Sequence, residues 1–216
     1  KMIPKIIHQI YFDLGIGSIE NNKTFFESHN KFKSLKEYKY ILWTEEDCQN
    51  LIKSDFNEYF DFYNNFRFEI QKIDFIRFCI LYKYGGVYVD LDFFPLKNFD
   101  NLLLSDIVFH NIRYMKPNYS YIENDFMGSK SNLTFWKKLM NYCYTEYSDK
   151  KNIKIYDIWK GRFILQTTGP KLISRFVKNN YNHIKPITVA YTKWNKDSET
   201  NYFFKDFKLN TWVENN

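Results

Sequence analysis

Residues 71–94, QKIDFIRFCILYKYGGVYVDLDFF, constrain this chain more than any other stretch. Their apolar positions recur at helical spacing and predict a helix over residues 68–84, which Gly85-Gly86 ends where a left-handed cap is needed. A strand over residues 87–91 follows at once and delivers two carboxylates, Asp90 and Asp92, at its end. On the helix, Asp74 and Arg77 are three residues apart and share a face, while Ile73, Ile76, Ile80 and Leu81 are available to bury against a sheet. An i,i+3 ion pair alone is common and contributes only about 0.2–0.5 kcal/mol. The double glycine and the two aspartates beyond it set this block apart from an ordinary helix.

The rest of the chain supplies partners for such a strand. Residues 5–12 (KIIHQIYF) follow Pro4, are rich in β-branched and aromatic types, and read as a first strand running into a loop with Asp13, Gly15 and Gly17. A helix over 21–34, a strand over 38–43 and a helix capped by Thr44, with Asp47 at its third position, continue a β-α-β-α alternation. Phe56, Tyr59, Phe60, Tyr63 and Phe66 recur at helical spacing. Such a stripe is usually core; the other reading is a lip for an acceptor or a membrane surface. Further strands are expected at 106–111, 121–127 and 184–190, and helices at 132–147 and 170–179. Only 7 Gly and 5 Pro in 216 residues agree with long regular elements. No repeat, low-complexity segment or linker interrupts them, so one domain over residues 1–216 is expected, an α/β sheet whose ligands bind outside the carboxyl ends of the strands.

Composition narrows the function classes. Lys and Arg outnumber Asp and Glu by 31 to 25, a net charge of +6, but the densest basic stretch, 150–162, is broken by Asp157 and several apolar residues. That reads as a solvated face, with a polyanion site as the lesser alternative, and no nucleic-acid partner is expected. Cys48, Cys79 and Cys143 lack C-x-x-C spacing and a histidine at ligand spacing, so reduced thiols and no zinc are expected. No apolar run approaches the ~18 residues that span a bilayer, and residues 1–12 lack the apolar stretch of a secretory signal. The expected location is the cytoplasm, with peripheral association at a membrane left open. His8, inside the first strand motif, reads as a hydrogen-bonded structural residue; His29, His110 and His183 show no partner pattern.

Two carboxylates on one side of a strand end repel unless a cation sits between or beside them. Hard oxygen ligands from two aspartates leave coordination positions open, which suits Mg²⁺ or Mn²⁺ completed by diphosphate oxygens. A lone Asp-x-Asp is a weak signal. Directly after a helix that presents Asp74 and Arg77 it is much stronger.

With these residues the chain resembles the glycosyltransferases with a DXD sugar-binding region, glycosyltransferase family 32, and more distantly the catalytic domains of the large clostridial cytotoxins. The matching segments are IPKIIHQIYF (3–12), YKYILWTEED (38–47), KIDFIRFCILYKYGGVYVDLDFFPL (72–96), IENDFMGSK (122–130) and TTGPKLIS (167–174), in the family's order. The resemblance implies a GT-A type nucleotide-sugar-binding α/β fold, with a mostly parallel central sheet flanked by helices. It also implies a metal-dependent enzyme, with Mn²⁺ or Mg²⁺ as cofactor, that transfers a hexose with retention of anomeric configuration. The donor would be a nucleotide-diphosphate sugar, UDP- or GDP-linked, and the acceptor a hydroxyl of a glycan, glycolipid or protein.

Residue by residue, the resemblance implies Asp92 as the main metal ligand, Asp90 on the metal or the donor ribose, and Asp74 and Arg77 on the donor sugar. Tyr11 would stack on the nucleobase, its alternative being a plain core residue. Asn124 and Asp125 are candidates for the sugar's other face, and Asp125 equally for acceptor or donor hydroxyls. Near the C-terminus the chain departs from the family. Many members have a histidine followed four residues later by Ser-Trp, and this chain has Asp206 ahead of Thr211-Trp212. Asp206 is either an oxygen-donating metal ligand or a surface aspartate, and Trp212 would close over the donor diphosphate.

Two other classes stay in view. A phosphatase of the Asp-x-Asp type wants Thr or Val two residues after its second aspartate, where Phe94 stands. A noncatalytic carbohydrate- or membrane-binding module that retains the fold would bind a sugar nucleotide without turning it over.

Overall fold

The computed structural model describes residues 2–112, 121–191 and 202–209. Along the chain come β1 (Ile6–Ile10), α1 (Lys23–Lys33), β2 (Lys39–Trp43), α2 (Glu45–Asp55), α3 (Phe60–Asn64), α4 (Glu69–Tyr84), β3 (Gly86–Val89) and β4 (Phe93–Pro95). They are followed by β5 (Ile107–Ile112), β6 (Tyr121–Ser129), α5 (Thr134–Lys150), α6 (Ile155–Ile158), α7 (Lys160–Thr167), α8 (Pro170–Asn180), β7 (Ala190–Tyr191) and β8 (Phe204–Asp206). The central sheet has the order β2-β1-β3-β6-β5. Its pairings make every strand but β6 point the same way, so the mostly parallel sheet that the resemblance implies is present.

Alternating strand residues feed two cores, one on each face of the sheet. Ile7, Val87, Val89, Val108 and Phe126 pack on one face with Phe32 of α1. Ile10, Tyr88, Phe109 and Met127 pack on the other with apolar residues of α4, α5 and α8. Within α4, residues 73–81 are buried on every side, so Asp74 and Arg77 are carried into the interior with the apolar positions around them.

Gly85 and Gly86 turn α4 back into β3 with φ of +64° and +88°. A Cβ on Gly85 would lie 2.7 Å from Ser131 N, and one on Gly86 2.6 Å from Ile6 O, so both positions need glycine. With ψ at −155°, Gly85 adopts an extended conformation open to glycine, rather than the helical left-handed cap expected. His8 fastens this joint to β1: Trp43 Nε1–H donates to His8 Nδ1 (3.1 Å), and His8 Nε2–H donates to Gly85 O (2.9 Å). It is the structural histidine its position suggested.

Thr44 and Asp47 form a reciprocal cap on α2, as expected. Phe56, Tyr59, Tyr63 and Phe66 are core residues, although Tyr59 sits on a 3₁₀ turn, Tyr63 on the short α3 and Phe56 and Phe66 outside both, rather than all on one helix. The strand expected at 184–190 is reduced to a single bridge from Ile187 to His110 ahead of β7. Pro186, which has no N–H to give a ladder, lies inside that stretch. A second sheet, β4-β8-β7, was not foreseen, and its register sets Asp206 opposite Phe93. Among the described residues no helix is long and apolar enough to cross a membrane.

Candidate active site

β1 and β3 run in parallel, so their carboxyl ends share one edge of the sheet. Because the glycine turn reverses the chain, the N-terminal half of α4 comes back to that same edge. Arg77 there joins three elements. Its NH1 donates to Asn124 O on β6 (2.9 Å), its NH2 lies 3.2 Å from Asp90 Oδ1 beyond β3, and its guanidinium lies 4.5 Å from the Tyr88 ring centroid. Asp74 Oδ1 lies 3.4 Å from Arg77 NH1 and accepts from Asn124 Nδ2 (2.7 Å), while its Oδ2 accepts from Thr168 Oγ1 (2.9 Å). Burial pushes the Asp74 carboxyl up to about 6, against the downward pull of Arg77 and its two donors. The i,i+3 pair of the sequence is therefore part of a buried network rather than a surface contact, with Arg77 Nε its one buried donor left without an acceptor among the described residues.

Asp90 and Asp92 do not alternate along a strand as the pattern predicted. Ladder pairing with β6 stops at Val89, and Asp90-Leu91-Asp92 forms a turn closed by Phe93 N–H donating to Asp90 O (3.2 Å). Gln9 Nε2 donates to Asp90 O (3.3 Å), and Ser28 Oγ donates to Phe93 O (2.6 Å), which fixes the turn from β1 and α1. Asp90 consequently faces Arg77 and the Tyr88 hydroxyl. Asp92 faces the C-terminal segment instead, where Leu209 N–H donates to its Oδ2 (2.9 Å).

That segment brings in Asp206. It is 2% exposed, so the surface-aspartate reading is overturned: pairing of β8 with β4 lays the residue against the DXD turn. Lys208, at φ +49°, extends its ammonium between carboxylates, 2.7 Å from Asp125 Oδ2 and 2.9 Å from Asp206 Oδ2. Asp125 Oδ1 accepts from His110 Nδ1–H (2.8 Å), so both of its oxygens are engaged. Burial pushes Asp125 upward, but Lys208 and His110 outweigh it and hold the carboxyl well below the usual range. Burial first, then the charge of Asp90, pushes Asp92 up to about 7; burial and the charge of Asp125 push Asp206 up to about 8 and Glu123 up to about 7.

The donor set suits a hard divalent ion. Every side chain of the Asp92–Asp206 pair offers oxygen, and Asp206 Oδ2 is buried with the Lys208 ammonium 2.9 Å away. Among the described residues no group of three His, Cys, Asp or Glu side chains is arranged to hold a metal. Asp92 and Asp206 could thus supply two ligands and leave the other positions to phosphate oxygens and water, the usual arrangement for Mg²⁺.

Tyr11 stands at the carboxyl end of β1, partly exposed, with its hydroxyl donating to Gly17 O (2.6 Å). Trp212 lies outside the described residues. Four residues at the site carry roles that the sequence reading did not assign: Thr168, His110, Glu123 and Lys208. Thr168 had a visible signal, the TTGP run, in which Gly169 caps α8 and Pro170 opens it. His110 and Lys208 meet Asp125 only through strand pairing and chain return, which no spacing announces.

Residues 20–109 match the family model of the glycosyltransferase sugar-binding region containing a DXD motif. The chain is similar to this family over those residues. Its DXD is Asp90-Leu91-Asp92. Mannosyl phosphorylinositol ceramide synthase SUR1 of Saccharomyces cerevisiae is 32% identical over 225 residues, covering 98% of this chain and 52% of that protein. Inositol phosphoceramide mannosyltransferase 2 of Schizosaccharomyces pombe is 27% identical over 227 residues, covering 99% of this chain and 59% of its own length. This chain therefore spans between half and three-fifths of those two relatives. Among solved structures, PaToxG Glycosyltransferase superimposes with a TM-score of 0.60 at 17% identity, over 84% of this chain and 71% of that one. The shared architecture is the GT-A glycosyltransferase fold.

Proposed function

We propose that the chain is the catalytic unit of a metal-dependent, retaining hexosyltransferase that moves mannose from a nucleotide-diphosphate donor to a hydroxyl of an inositol-phosphate glycolipid. The observation that carries the transfer reading is the convergence, at the carboxyl edge of the sheet, of the Asp74–Arg77–Asp90 network with Asp92 and Asp206. Mannose and the lipid acceptor are supported by the names of the relatives.

A divalent ion held by Asp92 and Asp206 supplies, when bound, positive charge to the departing diphosphate. Arg77 is already fixed in one orientation by Asp74, Asp90 and Asn124, so its planar donors need no ordering when a substrate arrives. Asp74 retains lone pairs beyond those taken by Asn124 and Thr168 and can accept from sugar hydroxyls. The Lys208 ammonium is a second fixed positive charge beside the DXD turn.

Incubation with Mn²⁺ and a panel of GDP- and UDP-sugars should release nucleoside diphosphate slowly. Asp92→Asn should abolish that release while the melting temperature stays near the parent's, because the residue lies on a turn and outside both cores. Binding by the parent without release would favour the noncatalytic module, and undiminished release in excess chelator would remove the metal from the reading.

A further inference from the structure

We propose that the segment around α6 is a docking surface for a bilayer bearing anionic headgroups. Ile153, Ile155, Ile158 and Trp159 are 43%, 44%, 76% and 49% exposed, four large apolar side chains within seven residues. Single exposed apolar residues are ordinary, but a ridge of them is not. The ridge does not result from a frayed segment. Tyr156 points inward, packs against Phe163 at 5.3 Å between ring centroids and donates to Gln166 Oε1 (2.7 Å), while Asp157 pairs with Arg67 at 2.6 Å.

Charge names the occupant. Residues 150–162 contain five basic side chains, Lys150, Lys151, Lys154, Lys160 and Arg162, and one acidic, Asp157, which Arg67 already partners. Lys151, Lys154, Lys160 and Arg162 are exposed around the ridge, and the Arg162 guanidinium lies 5.1 Å from the Trp159 ring centroid. Isoleucines to enter the acyl boundary, an indole for the interface and lysines reaching for phosphate are the chemistry of an interfacial membrane contact. This is the basic stretch for which the charge pattern alone predicts a solvated face, with a polyanion site as the lesser alternative.

The surface is also placed to serve the site. α7 ends in Thr167, with Thr168 as its cap; they bond Gln71 (2.9 Å) and Asp74 (2.9 Å), and Arg67 and Phe68 precede the N-terminus of α4. The ridge therefore stands, through the Asp157–Arg67 pair, near the N-terminus of the helix that carries Asp74 and Arg77. Its use for a lipid acceptor rests on the transferase reading, but the contact itself is measured without donor.

Flotation of the chain with vesicles of phosphatidylcholine plus phosphatidylserine, against phosphatidylcholine alone, tests the surface. The parent should bind the anionic vesicles, and salt should weaken that binding. With each basic residue contributing about fivefold near an anionic surface, Lys151→Glu/Lys154→Glu/Lys160→Glu should reduce partition roughly a hundredfold. Ile158→Ser/Trp159→Ser should reduce it at least about tenfold, scaled from the apolar area withdrawn from lipid. All five positions are exposed, so melting temperatures of both variants should match the parent's. Failure of the parent to bind, variants that bind like the parent, or a dimer of the parent that Ile158→Ser/Trp159→Ser dissociates would each overturn the proposal. Donor hydrolysis that persists in a non-binding protein separates failure of this surface from failure of the transferase reading.

Discussion

Acidification should destabilise the fold through His8. The ring is fully buried, with Nδ1 accepting from Trp43 and Nε2–H donating to Gly85, so the neutral tautomer satisfies both neighbours. A second proton on Nδ1 would face the Trp43 N–H with no acceptor. Burial, and behind it the charge of Lys39, lowers the His8 pKa from 6.5 to about 4, against the upward effect of the Gly85 carbonyl. Between those values the unfolded chain binds the proton and the folded chain does not, so stability falls as pH falls. A gap of about 2.5 pH units, at about 1.36 kcal/mol each, amounts to about 3 kcal/mol at pH 4.

The buried carboxylates act in the opposite sense. Asp74, Asp92, Glu123 and Asp206 have raised folded-state values of about 6, 7, 7 and 8, so the folded state takes up their protons first and gains stability on acidification. The His8 contribution must therefore be read as a difference. His8→Gln keeps an N–H for Gly85 O and does not titrate. Urea unfolding of parent and variant from about pH 7.5 to about pH 4 should show the parent losing about 3 kcal/mol more than the variant. Parallel stability curves would refute the reasoning, because they would mean that His8 is protonated alike in both states.

Three further outcomes are expected. Lys208→Met should tighten Mn²⁺ binding measured by calorimetry, since it removes an ammonium that lies against Asp206 and Asp125; unchanged affinity would place the ion elsewhere. Thr168→Val removes a donor to the buried Asp74 carboxylate and should cost about 1.5–3 kcal/mol in urea unfolding, whereas a loss under about 0.5 kcal/mol would show that the bond is dispensable. Gly86→Ala sets a Cβ 2.6 Å from Ile6 O at φ +88° and should lower stability by more than about 1 kcal/mol, with a parent-like melting temperature as the contrary result.

The local features of this protein were legible because they are local. Periodicity placed α4, the cap on α2 announced itself in Thr44 and Asp47, and Gly85-Gly86 marked a turn whose positive φ angles and close backbone contacts exclude a Cβ. Asp74 and Arg77 could be assigned to one helix face for the same reason. Burial of that face was not legible, because it depends on Asn124, Thr168 and Asp90 arriving from distant parts of the chain. Alternation failed at Asp90 and Asp92 because the ladder with β6 ended at Val89, before either of them. The sequence by itself thus determined the helix, the turn, the strand and the family they resemble. Only the tertiary structure decided that Asp206 and Lys208 meet Asp92 and Asp125, because the short β8 has no pattern of its own and its place is set by pairing with β4.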